Sequence, residues 1–548
     1  MNEHEVPDLL HAVPMVRLNP EQLEQALGFA FAAAGSDVAL YEQLGHASLT
    51  FSTWEPACFE HDLYLPALLE KVGTLEIAGQ RLEVHKGHLL RVLSHPPDDS
   101  AVTEFRQNIL RELVSRPEYV QSFEQVYFKL RSFRALLTES ALGYRIDANR
   151  RRIDILDAAL AAIRGMSEGF EGATSGLARL SGFGKRLLAS EGFVRLAKIL
   201  ELDEGLASLE ARLRIGYDGQ LRHFEIVRIS EQVQNPFYAT RWGRIFRKLV
   251  MLLRGYRFSD HEVLNAFVDE VFDGVSLELA RLFQLMGDME FYLAALRFRA
   301  LSRERGLDVC LPVLRKAQLG TTLPRKILGL FNPHLLSERT GPVPCDLVEA
   351  EHTSTVVLTG PNSGGKTRVL QALSLAQLLG QGGFFVPARA AELVWANAMF
   401  LSISDQAAAD QREGRLGTEL LRIRRVFESM RLGAFVVLDE LCSGTNPVEG
   451  EEIFRMVLEL LRELHPQALI STHFLQFAAR LAEDASLNGL TFLQVELDAH
   501  NLPTYQFVSG VASASLALQT AARLGVTREE LLALVERHKR SARPSIPN

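Results

Sequence analysis

Eight consecutive residues in the second half of the chain have the pattern G-x-x-x-x-G-K-T, which is typical of loops that hold phosphate groups. They are Gly360, Pro361, Asn362, Ser363, Gly364, Gly365, Lys366 and Thr367. Glycines let backbone N–H groups turn toward phosphate oxygens. Lys366 would place its charge on the outer phosphates, and the hydroxyl of Thr367 would bind Mg²⁺. The pattern therefore predicts a site for ATP with Mg²⁺.

Two carboxylates, Asp439 and Glu440, directly follow the apolar run at residues 434–438. A continuous apolar run of this length is typical of a buried parallel strand. At the end of such a strand, Asp439 would hold Mg²⁺, and Glu440 would act as the base that polarises the attacking water. The alternative is a solvated strand end, but the position downstream of a phosphate loop favours the catalytic role.

A histidine ends a third short strand pattern, the apolar run at residues 468–470 that continues through Ser471 to His473. We predict that His473 senses the γ-phosphate from the neighbouring strand. The alternative is a purely structural histidine.

The elements that position these residues are visible as periodic patterns. The β-branched run at residues 354–358 predicts a strand before the phosphate loop, and residues 368–379 predict a helix after it. Apolar residues recur at three- and four-residue spacing in three longer stretches, which predicts helices there. These stretches are residues 101–145, 149–213 and 260–305.

The N-terminal hundred residues contain a short hairpin pattern. Residues 75–77 and 81–84 have strand character, and Ala78 and Gly79 form a turn between them. We predict a small α/β region of unknown role at residues 1–100, a helical domain at 101–330 and an α/β domain at 331–535. The Arg- and Lys-rich composition of residues 536–548 predicts a basic, disordered tail.

The order of the motifs resembles the MutS family of DNA mismatch-repair ATPases. The matching patterns are G-P-N-x-G-G-K-T at 360–367, D-E-x-x-x-G-T-x-P-x-E-G at 439–450 and S-T-H-F at 471–474. Further similar segments lie at 342–347, 380–388 and 510–515, so the resemblance covers roughly residues 330–535. A general ABC-type cassette shares the lysine, the Asp-Glu pair and the histidine, but lacks the G-P-N-x-G-G-K and F-V-P-A patterns.

The resemblance implies an ABC/MutS-type P-loop NTPase domain, a helical core and lever domain, and a homodimer joined head to tail through the ATPase domains. In such a dimer, one subunit closes over the nucleotide of the other through Thr418, Gly444, Thr445 and Asn446. Pro342 occupies the position where the family has an aromatic residue on the adenine. Val343 and Leu347 are then expected to hold the base. ATP hydrolysis would move the helical arms and change the grip on DNA.

Two departures from the family's pattern define the expected subtype. The chain contains no Phe-x-Glu motif, which the family uses to read mismatches, and residues 231–240 leave little room for a DNA clamp. We therefore expect a MutS-like protein without the N-terminal mismatch-recognition domain, with a reduced or absent clamp, acting on mismatched or branched DNA. The alternative is a nucleotide-gated scaffold, or another ABC-type ATPase, with little hydrolysis and a non-DNA partner.

Composition limits the remaining possibilities. A net charge of −8 is unlike that of a protein that coats DNA, so DNA binding would need a local basic patch. Residues 241–248, which mix cations with Trp242 and Phe246, are a candidate for such a patch, and the alternative is a solvated amphipathic helix face. No apolar run reaches the length of a membrane span, and the N-terminus has no signal pattern, so we expect a cytoplasmic protein. The four cysteines form no C-x-x-C pair, which disfavours a zinc ribbon.

Overall fold

The computed structural model describes most of the 548-residue chain. The described residues are 7–33, 38–138, 148–203, 207–215, 221–231, 268–318, 321–361, 363–403, 414–442, 446–484, 489–512 and 526–541.

The described helices are numbered here in chain order. They are α1 (Pro20–Ala33), α2 (Val38–Glu42), α3 (Leu65–Val72), α4 (Lys86–Ser94), α5 (Ser100–Ser115), α6 (Pro117–Thr138), α7 (Ala148–Gly169), α8 (Ala178–Ala189), α9 (Glu191–Asp203), α10 (Ser276–Glu304), α11 (Lys366–Gln381), α12 (Gly414–Ser429), α13 (Pro447–Leu464), α14 (Leu475–Glu483) and α15 (Arg528–Ser541). No helix in the described part of the chain has both the length and the apolar character needed to cross a bilayer.

The described strands are numbered in the same way. They are β1 (Thr74–Ile77), β2 (Gln80–Glu83), β3 (Ala207–Ile215), β4 (Leu221–Glu231), β5 (Val313–Arg315), β6 (Arg325–Leu330), β7 (Cys345–Glu349), β8 (Thr355–Thr359), β9 (Ala390–Val394), β10 (Met399–Ser402), β11 (Phe435–Leu438), β12 (Gln467–Ser471), β13 (Leu490–Leu497) and β14 (Pro503–Ser509).

The chain forms two compact units. The first takes its residues from Met1–Thr50, Gly73–Arg91 and Glu104–Ala294, and the second from Phe51–Val72, Val92–Thr103 and Ala295–Asn548. The predicted region 1–100 is therefore divided between both units. Residues predicted to belong to the helical domain, from 295 to 330, pack with the second unit.

Helices dominate the first unit. Its part of α10 is buried on nearly every side, with Phe283, Met286 and Tyr292 among its buried apolar residues. Other elements must therefore surround this helix, because it presents almost no surface to solvent. Asp288 on α10 accepts a hydrogen bond of 2.9 Å from the backbone N–H of Leu9, which fixes the N-terminal segment to the unit.

A six-stranded sheet forms the centre of the second unit, with the strand order β10-β11-β12-β8-β13-β14. The first five strands are mutually parallel, and β14 pairs antiparallel with β13. Every residue of β8, β11 and β12 is buried, as expected for central strands covered on both faces. In a parallel sheet the carboxyl ends of the strands share one edge, where ligands bind.

A second, four-stranded sheet in this unit has the order β5-β9-β6-β7. The helix α11 is buried along almost its whole length, and its polar side chains bond the backbone near β9. The side-chain amide of Gln377 donates to the carbonyl of Val394 over 3.0 Å, and that of Gln381 donates to the carbonyl of Ala396 over 3.0 Å. These bonds fix α11, the helix that follows the phosphate loop, to the end of β9.

The segment Phe51–Val72 belongs to the second unit, although it lies far in sequence from the phosphate loop and the central sheet. The carboxylate of Asp62 accepts a 2.9 Å hydrogen bond from the N–H of Ile403, just beyond β10. The backbone carbonyl of Asp62 accepts from the side chain of Gln371 on α11 over 3.4 Å. This segment therefore connects the helix after the phosphate loop with the end of a sheet strand.

Most local predictions are confirmed, including the hairpin β1–β2, the strands β8, β11 and β12, and the helix α11. The helix predicted to continue to residue 213 is wrong at its end, because Ala207–Ile215 form β3, paired antiparallel with β4. Apolar and polar residues alternate from 207 to 215, and this period of two favours a strand over a helix. The predicted basic patch at 241–248 lies outside the described residues.

Candidate functional site

The loop between β8 and α11 depends on two glycines with left-handed backbone torsions. Gly360 has φ = +146°, and Gly365, which caps α11, has φ = +91°. A Cβ atom added at Gly360 would lie 2.6 Å from Cγ2 of Val495, closer than real contacts allow. Because only glycine adopts such torsions at little cost, this loop conformation requires the glycines of the sequence pattern.

Lys366 is the first residue of α11 and is buried. Its Nζ donates hydrogen bonds to the carbonyl oxygens of Gly360 at 3.1 Å and Pro361 at 3.2 Å. Burial lowers the pKa of Lys366, whereas the nearby carboxylates of Glu440 and Asp439 raise it. The lysine thus lies against the phosphate loop, and an anion bound there would be a stronger acceptor than the two carbonyls.

The predicted metal ligands Thr367 and Asp439 meet in the structure. Oγ1 of Thr367 donates a hydrogen bond of 2.5 Å to Oδ2 of Asp439. The other carboxylate oxygen, Oδ1, accepts from the hydroxyl of Ser471 at the end of β12. Burial raises the pKa of Asp439 above its usual value, and the hydrogen bonds from Ser471 and Thr367 oppose this rise. These two hydroxyls therefore favour the ionised carboxylate.

Glu440, the predicted base, lines the cavity described below and has a left-handed backbone with φ = +51°. A residue with a Cβ atom pays roughly 1–2 kcal/mol for such a conformation, so the surrounding structure must stabilise it. The backbone N–H of Glu440 donates a 2.8 Å hydrogen bond to Oγ of Ser471.

His473 follows β12, and its side chain remains accessible to solvent. Partial burial lowers its pKa, Glu440 raises it, and Lys366 lowers it further. The imidazole is therefore favoured in its neutral form at neutral pH, and it lies within electrostatic range of both predicted catalytic partners. It is not among the residues that line the cavity.

A cavity of about 570 Å³ opens above the phosphate loop. The phosphate-loop residues Ser363, Gly364, Gly365, Lys366 and Thr367 line it together with Glu440. Apolar and aromatic residues also line it, among them Leu330, Phe331, Val343, Cys345, Tyr505 and Phe507. A volume of this size with both kinds of lining suits a ligand that carries both phosphates and an aromatic base.

The two residues expected to hold the base are placed differently. Val343 lines the cavity, whereas Leu347 lies buried in β7 and does not line it. Successive residues on one face of a strand are roughly 6–7 Å apart. Cys345 on the same face of β7 reaches the cavity, and Leu347 lies one such step away.

Five predicted residues contribute to other parts of the structure or lie outside its described part. Asn446 caps α13, where its side chain accepts a 3.0 Å hydrogen bond from the N–H of Val448. The backbone of Thr418 lies in α12. Gly444 and Thr445, together with Asn362 of the phosphate loop, lie outside the described residues.

The donor set suits Mg²⁺ better than a transition metal. The hydroxyl of Thr367 and the carboxylate of Asp439 supply hard oxygen ligands. Within the described ranges, no three His, Cys, Asp or Glu side chains converge on one point. Magnesium is commonly bound by one or two protein oxygens together with substrate phosphates, so a dedicated protein cage is not required.

Three aromatic residues that line the cavity were not predicted from the sequence as site residues. Tyr505, with φ = +61° in β14, brings its ring to 3.2 Å from a Cβ atom built on Gly365. Phe331 and Phe507 also line the cavity. They lie far from the phosphate loop in sequence, and no local motif marks them.

The strand, phosphate loop and helix, with an Asp-Glu pair at the end of a parallel strand, define a P-loop nucleotide-binding domain. Residues 356–540 match the family model of MutS domain V. This part of the chain is therefore similar to MutS domain V.

The relatives are proteins named Endonuclease MutS2. The protein from Thermomicrobium roseum is 33% identical over 198 residues, which are 36% of this chain and 25% of the relative. Those from Streptococcus uberis and Thermus thermophilus are each 33% identical, over 37% and 33% of this chain and 27% and 24% of the relatives. The chain thus spans about a quarter of the length of the relatives it matches.

Proposed function

We propose that this protein is a MutS-type ATPase that couples ATP binding and hydrolysis to its grip on mismatched or branched DNA. The observation that carries the proposal is the hydrogen bond between Thr367 and Asp439 beside a cavity of nucleotide size. It brings the phosphate loop and the carboxylate strand together, as the chemistry of a P-loop ATPase requires.

The phosphate-loop residues that line the cavity would bind the triphosphate. Lys366 supplies a buried positive charge, and the N-terminus of α11 presents backbone N–H groups and the positive end of its dipole. Thr367 and Asp439 are the residues that would hold Mg²⁺. When bound, this ion neutralises charge on the phosphate oxygens.

Glu440 is proposed as the base that accepts a proton from the attacking water. It lies in the cavity wall beside the phosphate loop, as this role requires. His473 is proposed to stabilise the phosphate from the neighbouring strand. Its electrostatic coupling to Lys366 and Glu440 supports this position.

The apolar residues that line the cavity are proposed to hold the adenine. Val343 retains the role expected from the sequence, and Tyr505 replaces Leu347 as its partner. The Tyr505 ring lies close to Gly365 of the phosphate loop. An aromatic ring here offers a stacking surface for the base.

The functional assembly is proposed to be a homodimer formed through the ATPase domains. Thr418, Gly444, Thr445 and Asn446 of one subunit would close over the nucleotide of the other. Closure would move the helical unit and change its hold on DNA in the cytoplasm. The nuclease activity in the relatives' name is not part of the proposal, because the match covers about a quarter of their length.

Steady-state ATPase measurements test this function. The rate is measured without DNA and with homoduplex, mismatched, flap and four-way-junction DNA, and the same DNAs are compared in gel-shift assays with and without ATP. We expect mismatched or branched DNA to raise the rate and ATP to change the DNA affinity. Tight ATP binding without turnover or DNA response would instead support a nucleotide-gated scaffold with another partner.

A further inference from the structure

A fully buried hydroxyl, that of Ser471, contacts the carboxylate of Asp439 and the backbone of Glu440 in the proposed ATPase site. Ser471 is the last residue of β12, and its exposed fraction is 0%. In the sheet, Ile470 of β12 pairs with Leu438 of β11, so Ser471 stands beside Asp439 at the next position. Serine has no packing advantage at such a site, since an apolar side chain would fill the same space without a polar atom.

The hydrogen bonds of Ser471 have a fixed direction. An ionised carboxylate only accepts, so the hydroxyl proton goes to Oδ1 of Asp439. A lone pair of the same oxygen then accepts the N–H of Glu440 over 2.8 Å. One hydroxyl therefore contacts the side chain of the proposed metal ligand and the backbone of the proposed base.

One contact restrains the side chain of Asp439, and the other restrains the backbone of Glu440. The bond to Oδ1 of Asp439 leaves Oδ2 directed at the hydroxyl of Thr367. The bond to the N–H of Glu440 holds a backbone with φ = +51°, and this torsion determines where the Glu440 side chain leaves the strand end.

We propose that Ser471 is a positioning residue that orients Asp439 toward the metal-binding position and Glu440 toward the water. This inference rests on the proposed ATPase function. Ser471 itself would touch neither the phosphate nor the attacking water. It acts through the two acidic residues, and a hydroxyl is required because one atom must both donate and accept.

The test compares Ser471→Ala with Ser471→Thr, which keeps the hydroxyl. The matched control is Ser374→Ala, because Ser374 is also fully buried in the second unit and its hydroxyl bonds only the carbonyl of Leu370, over 2.8 Å. Four quantities are measured: kcat, KM for ATP, the Mg²⁺ concentration at half-maximal rate, and the Mg²⁺ dependence of binding of a non-hydrolysable ATP analogue.

We expect Ser471→Ala to lower kcat and to raise the Mg²⁺ midpoints by about 10–100-fold, the usual cost of losing an outer-shell partner. KM for ATP should stay near that of the unchanged protein, because the phosphate loop is intact. Ser471→Thr should recover most of both losses, and Ser374→Ala should match the unchanged protein. If Ser471→Ala does not fold, Ser471→Cys replaces it, because the thiol has similar size and is a weak donor.

Equal kcat and equal Mg²⁺ midpoints in Ser471→Ala and Ser374→Ala would overturn the inference while leaving the ATPase function standing. A Ser471→Thr variant as impaired as Ser471→Ala would also overturn it. If the unchanged protein binds nucleotide but does not hydrolyse it, the ATPase function fails, and the Mg²⁺ dependence of analogue binding still decides the role of Ser471. If it binds no nucleotide, both fail.

Discussion

The hydroxyl of Thr367 donates a 2.5 Å hydrogen bond to the carboxylate of Asp439, although the two residues are 72 positions apart in the chain. Thr367 follows the phosphate loop at the start of α11, and Asp439 follows β11. In the sheet β12 lies between β8 and β11, so the side chains meet at the shared carboxyl edge of the strands. This arrangement supports a joint role for the two residues at a magnesium-bound phosphate.

Replacing Glu440 by Gln should separate binding from hydrolysis. We expect turnover to fall by about 10²–10⁴-fold, the usual contribution of a general base, with ATP binding retained. Steady-state hydrolysis and equilibrium binding of labelled ATP measure the two effects. Glu459→Gln, an exposed change on α13, is the control. Rapid turnover in Glu440→Gln would show that another group accepts the proton.

Replacing Tyr505 by Ala should weaken the hold on the base. We expect ATP binding to lose about 1–3 kcal/mol, the usual value of one stacked base, whereas Tyr505→Phe should bind nearly as well as the unchanged protein. Inorganic triphosphate has no base, so its binding should not change. Equal losses for ATP and triphosphate would mean that Tyr505 acts on the phosphate loop instead.

The phosphate-loop helix and the three central strands were predictable because each has a local signature. The glycines, Lys366 and the apolar runs before Asp439 and Ser471 are visible in short windows of sequence. Tyr505 was not predictable in this way. It reaches the cavity only because β14 pairs with β13 at the edge of the sheet, and its positive φ leaves no mark in the surrounding residues.

Sequence patterns also did not indicate which residues outside the phosphate-loop domain belong to the second unit. Residues 51–72 have no motif that connects them to the phosphate loop, yet Asp62 bonds residues in α11 and beyond β10. Long-range hydrogen bonds of this kind depend on the assembled fold and not on local propensity. The turn between β1 and β2, in contrast, is local, and Gly79 indicated it correctly.

Replacing Asp62 by Ala should destabilise the second unit. The N–H of Ile403 would remain buried without its acceptor, which costs about 1–3 kcal/mol of unfolding free energy. Asp62→Asn keeps an acceptor oxygen and should lose less. Chemical denaturation monitored by release of a fluorescent nucleotide measures the stability of this unit. Equal stability of Asp62→Ala and the unchanged protein would contradict a structural role for the segment.

The stability of the first unit should fall as the pH drops below about 6.5, the usual pKa of histidine. Burial lowers the pKa of His88 well below that value, with further lowering by Arg17 and His85. In this range the unfolded chain protonates His88 while the folded protein does not. The unfolded state then binds more protons, so acid favours unfolding.

Removing His88 tests this linkage. The slope of the unfolding free energy against pH reports how many protons are taken up on unfolding. His88→Asn should reduce this number by about one between pH 5 and 7. Urea denaturation at several pH values measures the slope. The change of the exposed His500 to Asn is the control. An unchanged slope in His88→Asn would assign the acid sensitivity to other groups.

Calorimetric titration with ATP and Mg²⁺ tests the central claim most directly. The unchanged protein should bind ATP, and Lys366→Ala should bind more weakly by about 1.5–3 kcal/mol, because a buried charge-assisted bond to phosphate is lost. Lys326→Ala, on an exposed position of β6, should bind as the unchanged protein does. Absence of ATP binding with Lys366 intact would contradict the assignment of the second unit as a nucleotide-driven ATPase.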